Sequence, residues 1–131
     1  MSGKKLSLDS IAGRGVVLVW IEPGKEPTRH LLNDMPLLKS EFDSWEGWFV
    51  FLTDPERTPK EFNPESVTGT PVNTLFATDP GLHILGAIPG KKPEERLWPF
   101  VLYCNGAGEV FFSSEGYRIG TGQLLLRKIR N

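Results

Sequence analysis

The 131-residue chain contains one cysteine and two histidines. A lone thiol, Cys104, excludes an internal disulfide, a Cys-x-x-Cys dithiol and any zinc site built on several cysteines. His30 and His83 do not fall at the i, i+4 spacing that presents two imidazoles to one ion, so neither a metal nor another cofactor is expected. Charge of one sign is also missing. Fifteen Lys and Arg against sixteen Asp and Glu leave a net charge of -1, without the basic field that nucleic acid or an anionic lipid surface requires. No apolar run approaches the roughly 20 residues needed to cross a bilayer. The opening "MSGKKLSLDS" has no apolar signal-peptide core, and membrane insertion is not expected. The chain holds no Gly-x-Ser-x-Gly elbow and no carboxylate pair with glycosidase logic, and "GTGQ" (120–123) lacks the lysine of a phosphate loop.

What is present reads as one α/β domain over residues 1–131, with 1–10 as a flexible lead. "GVVLVWI" (15–21) is a continuous β-branched apolar run, the pattern of a strand covered on both faces. From Thr28 onward Leu31, Met35, Leu38 and Phe42 recur at helical spacing, with Leu32 and Leu37 widening the stripe; Pro36 should kink this helix. "GWFVFLTD" (47–54) predicts a second buried strand, and a strand-helix-strand unit makes a right-handed parallel crossover. The stretch "PERTPKEFNPESVTGTP" reads as loop with one helical turn at 59–62. "VNTLFAT" predicts a short strand, and "DPGLHILGAI" a short helix capped by Asp79. "PFVLYC", "NGAG" and "EVFFSSEG" predict a hairpin, and "GTGQLLLRKI" a closing helix with Thr121 as its cap and Leu124, Leu125 and Ile129 facing inward.

This order, with the residues at its joints, resembles the thioredoxin-like fold, in particular the extracytoplasmic thiol-disulfide oxidoreductases. The strand "VVLVW" before a helix containing Met35-Pro36, the entry "LSLDSIAGRGVVLV" and the hairpin "LWPFVLYCNGAGEVFFSSEGY" carry the resemblance. It implies a three-layer α/β/α sandwich, a central mixed sheet with a C-terminal hairpin and closing helix, and Pro99 as the family's cis-proline. Counted back from Met35-Pro36, the family's two cysteines fall on Thr28 and Leu31, with Arg29 and His30 between them. Thiol exchange needs a low-pKa thiolate at the helix start and usually a second thiol to resolve the mixed disulfide. Threonine and leucine supply neither. The phrases "PTRHLLNDMPLLKSEFDSW" and "SSEGYRIGTGQLLLRKI" are also similar to the C-terminal thioredoxin-like module of transglutaminase-like exported bacterial proteins. That likeness implies a fragment of a larger protein in the periplasm or cell envelope.

Each candidate residue also has an ordinary reading. Thr28 suits a helix N-cap better than a vestigial nucleophile. Arg29 and His30, with Lys25 near, suit a solvated helix start better than an anion site. Cys104 ends a buried strand and is expected to pack as a small hydrophobe. Two readings of Trp98 stay open: it fills the space left by the cysteines, or it anchors an extended peptide beside Pro99. Three functions are compatible with these residues. The first is a redox-inactive, monomeric binding or assembly module whose peptide-facing surface is Pro27, Thr28, His30, Trp98 and Pro99. Its partner is a protein or peptide, including a neighbouring domain of the same polypeptide. The second is an enzyme of non-dithiol chemistry using Cys104 or His30. The third is a purely structural packing domain.

Overall fold

The computed structural model describes residues 15–104 and 109–130. A five-stranded sheet runs in the order β3-β2-β1-β4-β5, from β1 (Val16–Trp20), β2 (Trp48–Thr53), β3 (Thr74–Thr78), β4 (Phe100–Cys104) and β5 (Val110–Glu115). β1 pairs parallel to β2 and antiparallel to β4, and β2 pairs parallel to β3. The sequence placed two parallel strands beside a hairpin; "VNTLFAT" turns out to be a third parallel strand at the sheet edge.

Alternation along the strands divides the core in two. Val17, Val19, Phe49, Phe51, Val101 and Tyr103 face α1 (Glu26–Asp43) and α3 (Thr121–Arg130). Trp20, Val50, Leu52, Phe100 and Leu102 face the opposite layer, where Leu82 and Leu85 of the short α2 (His83–Gly86) and its lead-in cover them. Helices therefore lie on both faces of a mixed sheet, the three-layer arrangement expected.

α1 buries the predicted stripe Leu31, Met35, Leu38 and Phe42, and adds Thr28. It starts earlier than expected. Glu26 and Pro27 occupy the first turn, where a proline's missing N–H costs nothing, and Lys25 is the flanking residue. Thr28 is thus inside the helix and is not its cap. Pro36 lies within the helix and offers no N–H to the Leu32 carbonyl. Gly69, at φ +76°, rests on the Pro36 ring so closely that a side chain there would collide with it, which pins the 67–69 segment to α1.

Two buried aspartates close the ends of β2 and β3. Asp54 accepts from Glu56 N–H at 3.1 Å and caps the 3-10 turn Pro55–Arg57, while Asn63 caps a second at Pro64–Ser66. The helical turn expected at 59–62 is instead a tight turn between them, closed by Phe62 N–H to the Pro59 carbonyl at 3.0 Å. Asp79, fully buried, accepts from Ile84 and Leu85 N–H at 2.8 and 3.0 Å and from the Trp20 indole at 2.9 Å. The expected helix from Pro80 is instead a 3-10 turn at Pro80–Leu82 followed by α2, whose N-cap is Leu82; Asp79 reaches past the turn to accept from α2 amides and ties that layer to the central strand.

In α3 the inward residues are Leu125 and Leu126, with Ile129 partly buried; Leu124, expected inside, is exposed. Thr121 is the first helical residue and its hydroxyl donates to the Arg118 carbonyl at 2.9 Å, so it is not the N-cap. The 1–10 lead, the first part of the "LSLDSIAGRGVVLV" entry and the "NGAG" turn lie outside the described residues.

Asp79→Ala leaves the buried Trp20 indole N–H and the Ile84 and Leu85 amides without their acceptor. Urea unfolding followed by Trp fluorescence should show a loss of about 3 kcal/mol.

Candidate functional site

Mixed pairing of β1 fixes where a site can form. Trp20 at the end of β1 sits opposite Phe100 at the start of β4. The residues after β1 therefore meet those before β4. Beyond Ile21, Glu22-Pro23-Gly24-Lys25 makes a tight turn, with Lys25 N–H donating to the Glu22 carbonyl at 3.1 Å and Gly24 at φ +90°. Proline followed by a positive-φ glycine is the composition of a type II turn. It delivers the chain directly into α1. Before β4, the Trp98-Pro99 peptide is cis and Pro99 is buried.

The first turns of α1 send their side chains in three directions. Thr28 and Leu31 point inward, at 2% and 5% exposure. The Thr28 hydroxyl accepts from Glu22 N–H at 2.9 Å, and Leu31 joins the core. Pro27 and His30, with Glu26, face the Trp98 segment, and Arg29 lies on the far flank. Of the five residues expected to form a peptide-facing surface, the structure gathers Pro27, His30 and Trp98 around one recess, with Pro99 buried beside Trp98. Thr28 is turned away from it, because the helix begins three residues earlier than a Thr28 cap would set it and places Thr28 on the buried stripe.

The recess, of about 410 Å³, is completed by Leu97, Gly116 and Tyr117. Leu97 is 63% exposed, whereas Trp98 is partly buried against the Trp20 and Phe100 cluster. Arg96, buried with its guanidinium 4.5 Å over the Phe100 ring, donates to the Pro89 carbonyl at 3.1 Å and holds this segment down. Leu97 N–H donates to Glu115 Oε1 at 3.1 Å, and Gly116 N–H donates to the carbonyls of Leu97 and Pro99 at 3.3 and 3.0 Å. Burial alone would raise the Glu115 carboxyl, but the Leu97 N–H and Lys91, at 3.1 Å, hold it below the ordinary value. Trp98 differs from its neighbours. Its backbone N–H and C=O have no partner among the described residues.

A polar line forms one wall. His30 Nε2 lies 3.2 Å from Glu26 Oε1, and its ring stacks on Tyr117 at 5.2 Å between centroids. Tyr117 in turn donates its hydroxyl to Asp34 Oδ2 at 2.7 Å. That bond, with lesser help from burial and from the Asp34 charge, raises the Tyr117 phenol above its ordinary value. Sequence reasoning missed Glu26, Asp34, Leu97 and Tyr117. A signal existed for two of them, since Glu26, His30 and Asp34 recur at i, i+4 along one helix face.

Cys104 is elsewhere. It pairs with Val16, at the end of β1 remote from the recess, and burial raises its thiol pKa. His83 is exposed on α2, in the layer opposite α1. No group of three or more His, Cys, Asp or Glu side chains able to hold a metal occurs among the described residues.

No family model and no curated protein matches the chain. Solved structures do. A secreted thiol-disulfide isomerase from Corynebacterium glutamicum superposes with a TM-score of 0.73 at 13% identity, covering 98% of this chain and 78% of that one. The exposed lipoprotein thioredoxin of Streptococcus pneumoniae gives 0.69 at 14% identity, covering 98% and 92%. Copper-bound ScoI of Arabidopsis thaliana gives 0.65 at 11% identity, covering 98% and 91%. The chain has the thioredoxin-like fold. At these identities the likeness carries the architecture and no chemistry.

Phenolate absorbance should show Tyr117 titrating above the ordinary value of about 10. Asp34→Asn should lower that transition, with Tyr117→Phe assigning it. Because the folded state holds this proton more tightly than the unfolded chain, the bond stabilises the fold below about pH 10 and is lost as pH rises through the raised pKa.

Proposed function

We propose that this domain is a redox-inactive binding module that receives an extended polypeptide segment in the recess beside Trp98 and Pro99. The segment belongs to a partner protein or to a neighbouring domain of the same polypeptide. The observation that carries this reading is Trp98, which lines the recess with Pro27, Leu97 and Tyr117 and whose backbone N–H and C=O have no partner among the described residues. An extended chain laid there pairs with both groups and seats one apolar side chain, the physics of strand addition.

Thiol exchange does not fit these residues. The positions counted as Thr28 and Leu31 are buried, and the Thr28 oxygen is already bonded to Glu22 N–H. Cys104 is four residues along β4 from Phe100, roughly 13 Å at strand rise, so its thiol and His30 cannot act on one substrate atom. Against non-dithiol chemistry using Cys104 or His30 stand a thiol whose pKa burial raises and an imidazole already engaged with Glu26 and Tyr117. A purely structural role leaves the exposed Leu97, and a Trp98 backbone without a partner among the described residues, without a purpose. Secreted and surface-exposed proteins among the matching structures support an extracytoplasmic setting, as expected for an accessory module of a larger exported protein.

Two measurements test the proposal. Insulin reduction with a dithiol donor should stay at background; turnover above it overturns the redox-inactive reading. A thiol-blocked unfolded polypeptide should shift the amide resonances of His30, Trp98 and Tyr117. Leu97→Asp, a change at an exposed position, should weaken that binding at least about tenfold, or about 1.4 kcal/mol. Shifts absent from these residues at about millimolar polypeptide, the range of the weakest specific contacts, mean that the recess is not a binding site.

A further inference from the structure

On the other flank of α1 lies a second recess, of about 430 Å³, between the helix and the 62–68 segment. It shares no lining residue with the one beside Trp98. Leu32, Pro36, Phe62 and Val67 give it apolar walls, and its size falls in the range of small-molecule sites. The walls are fixed. Phe62 packs against the core, Val67 N–H donates to the Pro64 carbonyl at 3.1 Å, and Gly69 is seated on the Pro36 ring.

The charge on this recess has one sign. Among the described residues Arg29 is the only ionisable side chain lining it, no acidic residue does, and Arg29 forms no ion pair. Thr28 adds a second donor. Its oxygen accepts from Glu22 N–H, and its hydroxyl hydrogen has no acceptor among the described residues, although the residue is 2% exposed. A guanidinium and a hydroxyl donor above apolar walls match an anion attached to an apolar body, the guanidinium offering a charge-assisted hydrogen bond.

We propose that this recess binds a carboxylate carried on an apolar stem, the carboxylate meeting Arg29 and Thr28 and the stem lying on Leu32, Phe62 and Val67. Two sources present that chemistry: a free aliphatic acid, and the C-terminal carboxylate of a peptide ending in an aliphatic residue. The site is independent of polypeptide binding beside Trp98, so either can fail alone.

Amide-shift titrations with hexanoate, hexanol and a short leucine-terminated peptide, free or amidated at its C-terminus, test it. Hexanoate should shift Arg29, Asn33, Val67 and Thr68 saturably, and hexanol should bind at least about tenfold more weakly. Arg29→Gln, at an exposed position, should cost hexanoate about tenfold in affinity while leaving the thermal midpoint unchanged. A free peptide that binds more tightly than hexanoate and loses that gain on amidation assigns the site to a chain terminus; otherwise the free acid is its ligand. Equal binding of hexanol and hexanoate, hexanoate affinity unchanged in Arg29→Gln, or no saturable shift of these amides by any carboxylate at about 10 mM overturns the proposal.

Discussion

Everything near the two recesses depends on the position of β1 between a parallel and an antiparallel neighbour. A strand bonded on both sides and covered on both faces has no freedom to shift: one residue of slip would exchange Val17 and Val19 for Leu18 and Trp20 on the α1 face. Parallel pairing with β2 requires a crossover helix, and antiparallel pairing with β4 brings the start of β4 beside the end of β1. The helix start and the Trp98-Pro99 segment are therefore neighbours whatever residues occupy them. The recess is a consequence of strand direction, so it survives in a chain that has no thiols to place there.

Keeping that frame without cysteines at the helix start raises a question of polar satisfaction there. The chain leaves β1, turns at Pro23-Gly24 and exposes backbone donors in a partly buried corner, where an unpaired group costs about 1–3 kcal/mol. Thr28 answers for Glu22 N–H from inside the first turn, while Asp79 and Asp54 answer for the segments after β3 and β2. All three are small polar side chains at the ends of β1, β2 and β3. Each satisfies backbone donors that the sheet's end would otherwise leave unpaired.

Residues that act within one element were the easiest to read from sequence. The β-branched runs of β1 and β2, the 31-35-38-42 stripe of α1 and the β4 and β5 segments of the hairpin all announce themselves through local periodicity. The helix start did not, because threonine favours caps and prolines favour first turns, and Pro27-Thr28 contains both signals one residue apart. Three consecutive leucines in α3 likewise cannot reveal their orientation: Leu126 replaces Leu124 inside because the helix is set by its packing against α1. Tyr117 and Asp34 are 83 residues apart in sequence. Their bond is a product of the sheet order, and no local pattern contains it.

The first turns of α1 assign opposite charges to opposite flanks. Glu26 and Asp34 lie with His30 on the side of Trp98, while Arg29 lies toward Phe62 and Val67. The near-zero net charge of the whole chain hides this division. Across a helix about 10 Å wide the two flanks are separated by roughly one Debye length at physiological salt, so each recess is governed mainly by its own residues. A segment near Glu26 meets a negative wall, and a ligand near Arg29 a positive one. One helix, fixed by the strand it succeeds, in this way borders two recesses of opposite charge.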